Sequence, residues 1–256
     1  MQTIIHFHFG RIPDIYKEKR WEYKLIHRVI SSVDKVIIID KNSYNTLKSY
    51  GYKNIYLMPN PLTPKVQEII NQNKTIIKQD NKIVFVGHVV ETKGVFELIE
   101  ACKEISNIRL KMIGYVTEEM KTTLKSKAGD NSENWLEFSG EIDYVSTIKE
   151  MMSAGVFVLP TYTEGFPNAI LESMACACPI VTTRVGAIPE MLDVAHGDNY
   201  GLCVEPKNVV QLKTAIEKML DDREYALQCG TNAQQRVNNL YSMPTIWNDL
   251  ETIWKT

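Results

Sequence analysis

Two carboxylates flank a Gly-Pro turn in the segment 164–172, which has the sequence EGFPNAILE. Glu164 and Glu172 stand eight residues apart, with an apolar run over 156–160 before them and a helical pattern from Asn168 onward. The junction between a strand's carboxyl end and a helix start is where an α/β sheet holds phosphorylated ligands. Carboxylates beside that junction suit a ligand that also carries hydroxyl groups, and a sugar nucleotide has both. Glu172 alone is also explained by ordinary compensation of a helix dipole.

Gly87 and Lys93 belong to a second candidate site, which directly follows a predicted strand over 82–86. A glycine there lets the backbone turn close to a ligand. Lys93 stands at the predicted start of a helix over 94–105, where a cation opposes the helix dipole unless an anion such as a diphosphate is bound. By itself this pattern is weak, and a turn with a solvated lysine is the simpler interpretation.

Two further segments follow predicted strands. Residues 185–190 repeat the layout of strand, glycine loop and helix start, so their backbone is expected to line the same cleft. His6 and His8 stand at the carboxyl end of the first strand, where a histidine either contacts a ligand or packs in the core. From the residues alone, packing is the favoured interpretation.

Motifs of several other enzyme classes do not occur in the sequence. It has no Asp-x-Asp pair for a metal-bound diphosphate, no Gly-x-Gly-x-x-Gly fingerprint, no Walker loop and no Gly-x-Ser-x-Gly elbow. The cysteines are odd in number and none forms a Cys-x-x-Cys pair, so we expect reduced thiols and no metal site. They are Cys102, Cys176, Cys178, Cys203 and Cys229.

Composition and charge limit the class of protein. The 256 residues are 44% hydrophobic, and no run of 18 apolar residues occurs, which predicts a globular chain without a transmembrane span. The N-terminal residues indicate a strand rather than a signal peptide. Residues 1–66 carry 11 Lys/Arg against 5 Asp/Glu, a net +6, whereas residues 67–256 carry 18 against 26, a net −8. The basic end could face anionic lipid or a phosphate-bearing acceptor, but a solvated helix face explains it equally well.

The chain alternates β-rich runs with helical patterns, which predicts an α/β fold with parallel sheets and crossover helices. Continuously apolar strands such as 36–39 and 83–86 indicate that both sheet faces are covered. The predicted strands are 2–7, 35–40, 54–58, 82–86, 108–113, 135–139, 156–159, 179–182 and 201–204. The predicted helices are 17–32, 42–50, 94–105, 117–127, 144–154, 168–177, 207–221, 223–239 and 244–255.

A break near 60–81 divides the chain, because Pro61 and Pro64 interrupt regular structure and a polar run follows. The last predicted helix has one apolar face, which is expected to be a packing surface. Its members are Trp247, Leu250, Ile253 and Trp254. The predicted parts are a small N-terminal domain over 1–66, a linker over 67–81, a larger domain over 82–240 and a helix over 241–256 that could cross back to the N-terminal part.

Taken together, the motifs resemble those of the retaining glycosyltransferases of family 4, the group 1 glycosyl transferases, which have the two-domain GT-B fold. Each match is common alone, but their order and spacing over residues 82–206 are specific. The matching segments are FVG at 85–87 with KG at 93–94, EGFPNAILE at 164–172, MAC at 174–176, PIV at 179–181, VG at 185–186, IPE at 188–190, GLCVEP at 201–206 and, at the end of the N-terminal domain, MPN at 58–60.

The resemblance implies a fold and roles for the candidate residues. The fold would be GT-B-like, with a Rossmann-like C-terminal donor domain over 82–240 and a partial, acceptor-side N-terminal Rossmann-like domain over 1–66. Lys93 would bind the donor diphosphate, Glu164 would contact the donor sugar and Glu172 would bind the ribose hydroxyls. The rest of the implied substrate site is Gly87, His88, His8 and the backbone of Gly165, Phe166, Pro167 and Asn168.

The implied reaction moves a sugar from a nucleoside diphosphate, with a UDP-sugar the first choice, to a hydroxyl of a carbohydrate or lipid-linked acceptor with retention of configuration. Such enzymes generally need no metal or other cofactor here, because fixed cations and helix dipoles stabilise the leaving group. The implied setting is surface polysaccharide or glycolipid assembly in the cytoplasm, with peripheral contact at the inner membrane face. No nucleic acid partner is expected.

Three departures separate the chain from the family pattern. His88 stands where the family usually has arginine, and Ala177 and Ala187 stand where glycine is common. Residues 1–66 resemble only the second half of the family's N-terminal domain. The chain could therefore be a fragment, a degenerate relative, or a sugar-nucleotide-binding subunit of a split enzyme that needs a partner chain. A sugar-nucleotide epimerase or phosphorylase of similar architecture is a third functional class.

Overall fold

Residues 2–255 of the chain are described in the computed structural model, where they form two parallel sheets flanked by helices. The smaller sheet contains β1 (Ile4–Phe7), β2 (Lys35–Ile38) and β3 (Ile55–Leu57), in the order β1-β2-β3. The larger sheet contains β4 (Gln79–Val86), β5 (Arg109–Ile113), β6 (Leu136–Gly140), β7 (Ala154–Leu159), β8 (Ile180–Thr183) and β9 (Leu202–Val204), in the order β6-β5-β4-β7-β8-β9. Neighbouring strands pair in parallel, so the predicted α/β architecture is confirmed.

Helices connect most of the strands. In chain order they are α1 (Ile12–Lys17), α2 (Trp21–Ser32), α3 (Lys41–Ser49), α4 (Pro64–Gln72), α5 (Val95–Cys102), α6 (Glu118–Ala128), α7 (Tyr144–Ser153), α8 (Asn168–Ala175), α9 (Ile188–Met191), α10 (Val209–Asp221), α11 (Arg223–Leu240) and α12 (Met243–Lys255). On the larger sheet, α5 packs with α6 and α10, while α4, α7 and α8 pack together. Helices on both faces explain why Val84 and Phe157, on the two central strands, are fully buried.

The strand order of the larger sheet reverses between β4 and β7, which lie side by side at its centre. The chain runs from β4 outward to β5 and β6, and from β7 outward on the other side to β8 and β9. The loops that follow β4 and β7 therefore diverge at the carboxyl edge of the sheet, where open α/β sheets form a ligand crevice. These two loops hold Lys93 and Glu164.

The smaller sheet is covered on both faces. Helices α1, α2 and α3 pack on one face, in a cluster that contains Ile12, Tyr16, Ile26, Ile30, Val36, Ile38, Leu47 and Ile55. On the other face, Ile246 and Ile253 of α12 pack against Ile37 and Met58. The C-terminal helix thus returns to the N-terminal sheet and ties the two ends of the chain together.

The packing face of α12 differs from the prediction. Ile246, Leu250 and Ile253 form the stripe that meets the smaller sheet. Trp247 and Trp254 lie beside that stripe and are 46% and 49% exposed, with their rings edge to face at 5.8 Å. The prediction was wrong for the tryptophans because a stripe at i, i+4 and i+7 leaves the positions that follow it on the flank of the helix.

The predicted helix over 17–32 is two helices. Lys19 has a φ of 47°, a left-handed conformation that ends α1 and turns the chain into α2. Helix α1 begins earlier than predicted, with Pro13 in its first turn, where a missing backbone N–H costs no hydrogen bond.

Much of the predicted linker over 67–81 has regular structure. Thr63 caps α4 by accepting a hydrogen bond from the Lys65 backbone N–H at 3.3 Å, and Pro64 is in the first turn. Val66, Ile69 and Ile70 of this helix are buried in the hydrophobic core that surrounds the larger sheet. Strand β4 then begins at Gln79 rather than at residue 82. The division of the chain into domains stays a prediction.

Candidate active site

Lys93 and Glu164 meet at the point where the strand order reverses. The Lys93 Nζ lies 2.5 Å from the Glu164 Oε1, and the two side chains are only 28% and 12% exposed. Each residue follows one of the central strands, Lys93 after β4 and Glu164 after β7. The two best sequence candidates for chemistry are therefore one ion pair in the predicted crevice.

Lys93 is placed by a 3₁₀ turn over Glu91–Lys93, and Gly94, with a φ of 68°, separates that turn from α5. The sequence predicted Lys93 at a helix start, with an anionic ligand to relieve its conflict with the helix dipole. The structure instead gives Lys93 the Glu164 carboxylate as its partner. The prediction missed this contact because it depends on which strand lies beside β4.

Hydrogen bonds fix the loop after β7 against the loop after β4. The Tyr162 backbone N–H donates to the Thr92 carbonyl at 2.8 Å, and the Thr161 hydroxyl donates to the same oxygen at 3.3 Å. Thr183, at the end of β8, donates its hydroxyl to the Thr161 carbonyl at 2.5 Å. These hydrogen bonds join the ends of β7 and β8 to the loop after β4. They position the backbone next to Lys93 and Glu164.

The backbone of Glu164 is clamped between two glycines. A Cβ added to Gly10, after β1, would lie 2.2 Å from the Glu164 carbonyl oxygen, and a Cβ added to Gly186 would lie at the same distance. The Ala187 N–H also donates to the Gly165 carbonyl at 2.9 Å. The loop therefore contacts both the N-terminal sheet and the loop after β8, so the site lies at the junction of the two parts of the chain.

The residues after Gly165 mainly support the site. Phe166 and Pro167 are buried, and the Phe166 ring packs edge to face against Tyr241 at 5.4 Å. Asn60 donates its side-chain amide to the Asn168 Oδ1 at 3.2 Å and to the Phe166 carbonyl at 3.4 Å. With both side chains buried, any ligand contact at Phe166 and Pro167 falls to their backbone. Asn168 is exposed at the start of α8.

Glu172 lies one turn into α8 and is held by Tyr144, which the sequence did not single out. The Tyr144 hydroxyl donates to the Glu172 Oε1 at 2.7 Å. Burial raises the pKa of Glu172, and the hydrogen bond from Tyr144 lowers it in part. Burial and the Glu172 carboxylate also raise the pKa of Tyr144, so the phenol stays protonated as the donor. The Lys65 ammonium lies 5.7 Å from the centre of the Tyr144 ring.

Glu172 belongs to a cluster separate from Lys93. Within residues 2–255, no hydrogen bond or ion pair joins the two side chains. From the sequence we expected Lys93, Glu164 and Glu172 to surround one ligand. In the structure, Lys93 and Glu164 form an ion pair with each other. In the sequence, Tyr144 was marked only by its position at the start of a helix, directly after the capping residue Asp143. The Asp143 side chain accepts a hydrogen bond from the Ser146 backbone N–H at 3.0 Å.

The histidines lie at the ends of β1 and β4. His6 and His8 have ring centroids 3.9 Å apart, with His8 exposed and His6 partly buried. Burial, with a smaller effect of His8, lowers the pKa of His6 to about 4, so it is neutral at physiological pH. His8 stands two residues before Gly10 in the sequence. His88 is exposed, with its ring 6.3 Å from that of Tyr115, and Gly87 donates its N–H to the Ile113 carbonyl at 2.9 Å.

An opening lies between α3 of the N-terminal part and the loop after β8. It has a volume of about 730 Å³ and is spanned by an ion pair between Lys41 of α3 and Glu190 of α9, 2.7 Å apart. Arg184, two residues before Gly186, also lines it. For the described residues 2–255, no group of three or more His, Cys, Asp or Glu side chains is arranged to hold a metal ion. No helix in the same range is long and apolar enough to span a bilayer.

The sequence matches the model of a known protein family. The family model for glycosyl transferases group 1 matches residues 66–236, most of the chain. The chain belongs to the group 1 glycosyltransferases. The resemblance predicted from its motifs is thereby confirmed at the level of the family.

The sequence similarity between this group 1 member and its relatives extends beyond residues 66–236. It is 28% identical over 244 residues to the capsular polysaccharide biosynthesis glycosyltransferase CapM of Staphylococcus aureus, an alignment that covers 92% of this chain and 59% of CapM. Sucrose-phosphate synthase from Thermosynechococcus elongatus superposes with a TM-score of 0.83 at 21% identity, covering 100% of this chain and 67% of that one. HepE from Anabaena, in complex with UDP and glucose, gives 0.80 at 16% identity, covering 100% and 72%. The predicted GT-B-like fold class is confirmed by these superpositions.

Proposed function

We propose that this chain transfers a sugar from a nucleoside-diphosphate sugar to a hydroxyl acceptor, with retention of the anomeric configuration. The Lys93–Glu164 pair at the strand-order reversal, packed against Gly10 of the N-terminal part, is the observation that carries the proposal. A partly shielded cation and carboxylate at the carboxyl ends of the two central strands match a donor that has a diphosphate next to a sugar with hydroxyl groups.

Lys93 is assigned to the leaving group. As the glycosidic bond breaks, negative charge grows on the diphosphate, and a fixed ammonium stabilises that charge more than it stabilises the ground state. In the structure, Glu164 balances the lysine at 2.5 Å. A bound diphosphate would replace Glu164 as the partner of Lys93, and Glu164 would then accept hydrogen bonds from the donor sugar.

Glu172 is assigned to the ribose of the donor. Tyr144 occupies its Oε1, which fixes the orientation of the carboxylate, and we assign Oε2 to the ribose hydroxyls. His8 is assigned to the donor sugar from the N-terminal side, and His88 and the backbone of Gly87 and of residues 165–168 to the rest of the donor. No cofactor beyond the donor is part of the proposal.

The relatives support a donor and a setting. HepE is in complex with UDP and glucose, which supports a UDP-sugar donor for this chain. CapM is named for capsular polysaccharide biosynthesis, which supports a carbohydrate or lipid-linked acceptor in surface polysaccharide or glycolipid synthesis. The proposed place of this synthesis is the cytoplasmic side of the membrane.

A partner-dependent subunit is the second candidate, because the chain spans 59% of the length of CapM. In that case it would bind the sugar nucleotide but transfer the sugar only when a second chain completes the acceptor side. The donor site would be the same, so binding does not separate the two candidates, whereas activity without a partner does.

Transfer from labelled UDP-, GDP- and ADP-sugars to lipid and oligosaccharide acceptors tests the proposal. Transfer by the purified chain, with retained configuration seen by NMR of the product, supports the enzyme. Transfer only after a candidate partner is added supports the subunit. Conversion of the donor without an acceptor supports an epimerase or phosphorylase, and no binding of any donor contradicts all three.

A further inference from the structure

Tyr162 is a half-buried tyrosine in the loop after β7, two residues before Glu164. Its backbone N–H donates to the Thr92 carbonyl at 2.8 Å. Its hydroxyl donates to the Glu97 Oε2 at 2.6 Å, and the ammonium of Lys207 lies 4.7 Å from the centre of its ring. This one residue therefore connects the loop after β7 to the loop after β4, to α5 and to the segment after β9.

The hydroxyl of Tyr162 makes a hydrogen bond to a carboxylate, which is stronger than a bond between neutral groups. Burial, followed by the hydrogen bond to Glu97 and the charge of Glu97, raises the pKa of Tyr162, so the phenol stays protonated as the donor. Glu97 stands in the first turn of α5, where the helix dipole favours a carboxylate. The bond thus attaches the loop after β7 to the helix that follows Lys93.

The contact with Lys207 involves an uncommon backbone conformation. Lys207 has a φ of 62°, in the left-handed region that residues with a side chain rarely adopt. The next residue, Asn208, caps α10 by accepting a hydrogen bond from the Gln211 backbone N–H at 3.0 Å. The ammonium over the Tyr162 ring is a cation–π contact. A residue stays in such a conformation where the surrounding structure fixes it, and such residues cluster near functional sites.

We propose that Tyr162 is a positioning residue for sugar transfer, which fixes the loop of Glu164 relative to Lys93. This role rests on the proposed function, because it adds a residue to the same site. Thr92 directly precedes Lys93, so the hydrogen bond between Tyr162 and Thr92 joins the two loop backbones beside the ion pair. The Tyr162 hydroxyl bonds Glu97, whereas the Lys93 ammonium bonds Glu164, so Tyr162 acts through the backbone of these loops.

A positioning role predicts a different effect on kcat than on KM. A small misplacement of a group that acts in the transition state slows the reaction strongly, whereas binding of the ground state tolerates it better. Loss of the Tyr162 hydroxyl should therefore lower kcat more than it raises the KM for the donor. A tyrosine that only stabilised the fold would instead lower the melting temperature and leave kcat per folded molecule unchanged.

Initial rates of Tyr162→Phe over a range of donor concentrations test this split. We expect kcat to fall about tenfold and the KM for the donor to change less than about threefold. Glu97→Gln keeps an oxygen that can accept from Tyr162 and should stay within about threefold of the unaltered kcat, whereas Glu97→Leu should match Tyr162→Phe. The double variant with Tyr162→Phe and Glu97→Leu should be no slower than either single variant, because both remove the same bond.

Tyr225→Phe is the matched control, because Tyr225 makes the same two kinds of contact with different partners. Its hydroxyl donates to the Asp198 carbonyl at 2.8 Å, and the Lys218 ammonium lies 4.3 Å from the centre of its ring. Its kcat should stay within about twofold of the unaltered value, because neither partner belongs to the loops of the ion pair. An equal loss of kcat in Tyr225→Phe and Tyr162→Phe overturns the proposal. So does an unchanged kcat per folded molecule in Tyr162→Phe.

Labelling of Lys93 gives a measurement that does not need sugar transfer. Trace acetylation with acetic anhydride, quantified by mass spectrometry, reports how well Glu164 shields the Lys93 ammonium. Tyr162→Phe should raise the labelling of Lys93 about threefold, as a partly shielded ion pair loosens, and Tyr225→Phe should leave it unchanged. Unchanged labelling in Tyr162→Phe overturns the positioning role, whether or not the chain transfers sugar. Raised labelling in a chain that transfers no sugar contradicts the proposed function and supports the hold of Tyr162 on this loop.

Discussion

The ammonium of Lys93 contacts the carboxylate of Glu164 at 2.5 Å, although the residues stand 71 positions apart in the chain. The contact joins the loops after the two central strands, at the reversal of strand order. Both side chains are mostly shielded from water, so each depends on the other for compensation of its charge. A ligand that carries both a phosphate and hydroxyl groups can replace each partner in turn, which is the basis of the proposed donor site.

Replacing Lys93 should remove most of the transfer activity. Lys93→Met keeps much of the side-chain volume but not the charge that meets the leaving diphosphate. We expect kcat/KM to fall on the order of 100-fold, a few kcal/mol of transition-state stabilisation. Initial rates of sugar transfer measure the change.

Lys103→Met is the matched control for charge, because Lys103 pairs with Glu100 at 2.6 Å at the other end of α5 and forms no ion pair with Glu164. Its rate should stay within about twofold of the unaltered chain, because the lost ammonium does not contact the Lys93–Glu164 pair. Equal losses in both variants would show that the effect of Lys93→Met is not local to the crevice.

Gly10→Ala should damage both stability and activity. The added methyl group would lie 2.2 Å from the Glu164 carbonyl oxygen, a backbone atom that cannot move without moving the loop. We expect a loss of about 1–3 kcal/mol in the free energy of unfolding, as for overpacking at a close contact. The rate should fall further, because the loop holds Glu164.

Gly129→Ala separates stability from activity. Gly129 has a φ of 90° but nothing within 4 Å of an added Cβ, so its replacement strains the backbone without touching the site. It should lower stability by about 1 kcal/mol and leave the rate per folded molecule unchanged. An active and stable Gly10→Ala variant would contradict the proposed clamp.

The regular structure was largely predictable from the sequence, because buried parallel strands are continuously apolar. Every predicted strand, such as 82–86 and 156–159, has a counterpart in the structure. Helix α4 was missed because Pro64 was interpreted as a stop, whereas a proline is also compatible with the first turn of a helix. Local patterns therefore predicted most of the helices and strands. They failed where a residue type is compatible with two structures, as proline is with a helix stop and a helix start.

The contacts of the site were not predictable from local patterns. Lys93 and Glu164 were both singled out, but their pairing depends on β4 lying beside β7, which is a property of the strand order. Tyr144 was missed because its partner Glu172 is 28 residues away in the chain. The backbone of Phe166 was assigned to the substrate, and that assignment stays a prediction; the burial of its side chain against Tyr241, near the other end of the sequence, was not predicted. Each of these contacts is set by tertiary packing.

Tyr144→Phe should change the pH dependence of donor binding. The lost hydroxyl stabilised the ionised form of Glu172, so its removal raises the pKa of that carboxyl further above its usual value. If ionised Glu172 binds the ribose, affinity falls as the pH drops through this pKa, and the fall begins at higher pH in the variant. We expect UDP affinity on the order of tenfold lower at mildly acidic pH, with a smaller loss at neutral pH.

Calorimetric titration with UDP over a range of pH gives this profile. Tyr225→Phe is the control, because the Tyr225 hydroxyl donates to the Asp198 carbonyl at 2.8 Å and not to Glu172. Its affinity profile should match that of the unaltered chain. A loss for Tyr144→Phe that is the same at every pH would indicate a purely structural role for the tyrosine.

Protonation of His6 should make the free energy of unfolding depend on pH. Burial, assisted by His8, lowers the pKa of His6 from 6.5 to about 4, so the folded chain binds this proton less tightly than the unfolded chain. The stabilising contribution is therefore complete above pH 6.5 and is lost as the pH falls towards 4. His6→Phe should flatten the fall in the free energy of unfolding across that window, as measured by urea denaturation.

The slope of the free energy of unfolding against pH tests this assignment to His6. Equal slopes for His6→Phe and the unaltered chain would show that His6 is not the group that titrates.

Donor binding by the unaltered chain and by Lys93→Met tests the central claim most directly. Thermal unfolding is followed with UDP-, GDP- and ADP-sugars, with Lys103→Met as the reference for a charge lost elsewhere. At 100 times its dissociation constant, a donor should stabilise the unaltered chain and Lys103→Met by about 2.7 kcal/mol, and Lys93→Met clearly less. No stabilisation of the unaltered chain by any of the three donors, or equal stabilisation of Lys93→Met, would contradict a sugar-nucleotide site at the Lys93–Glu164 pair.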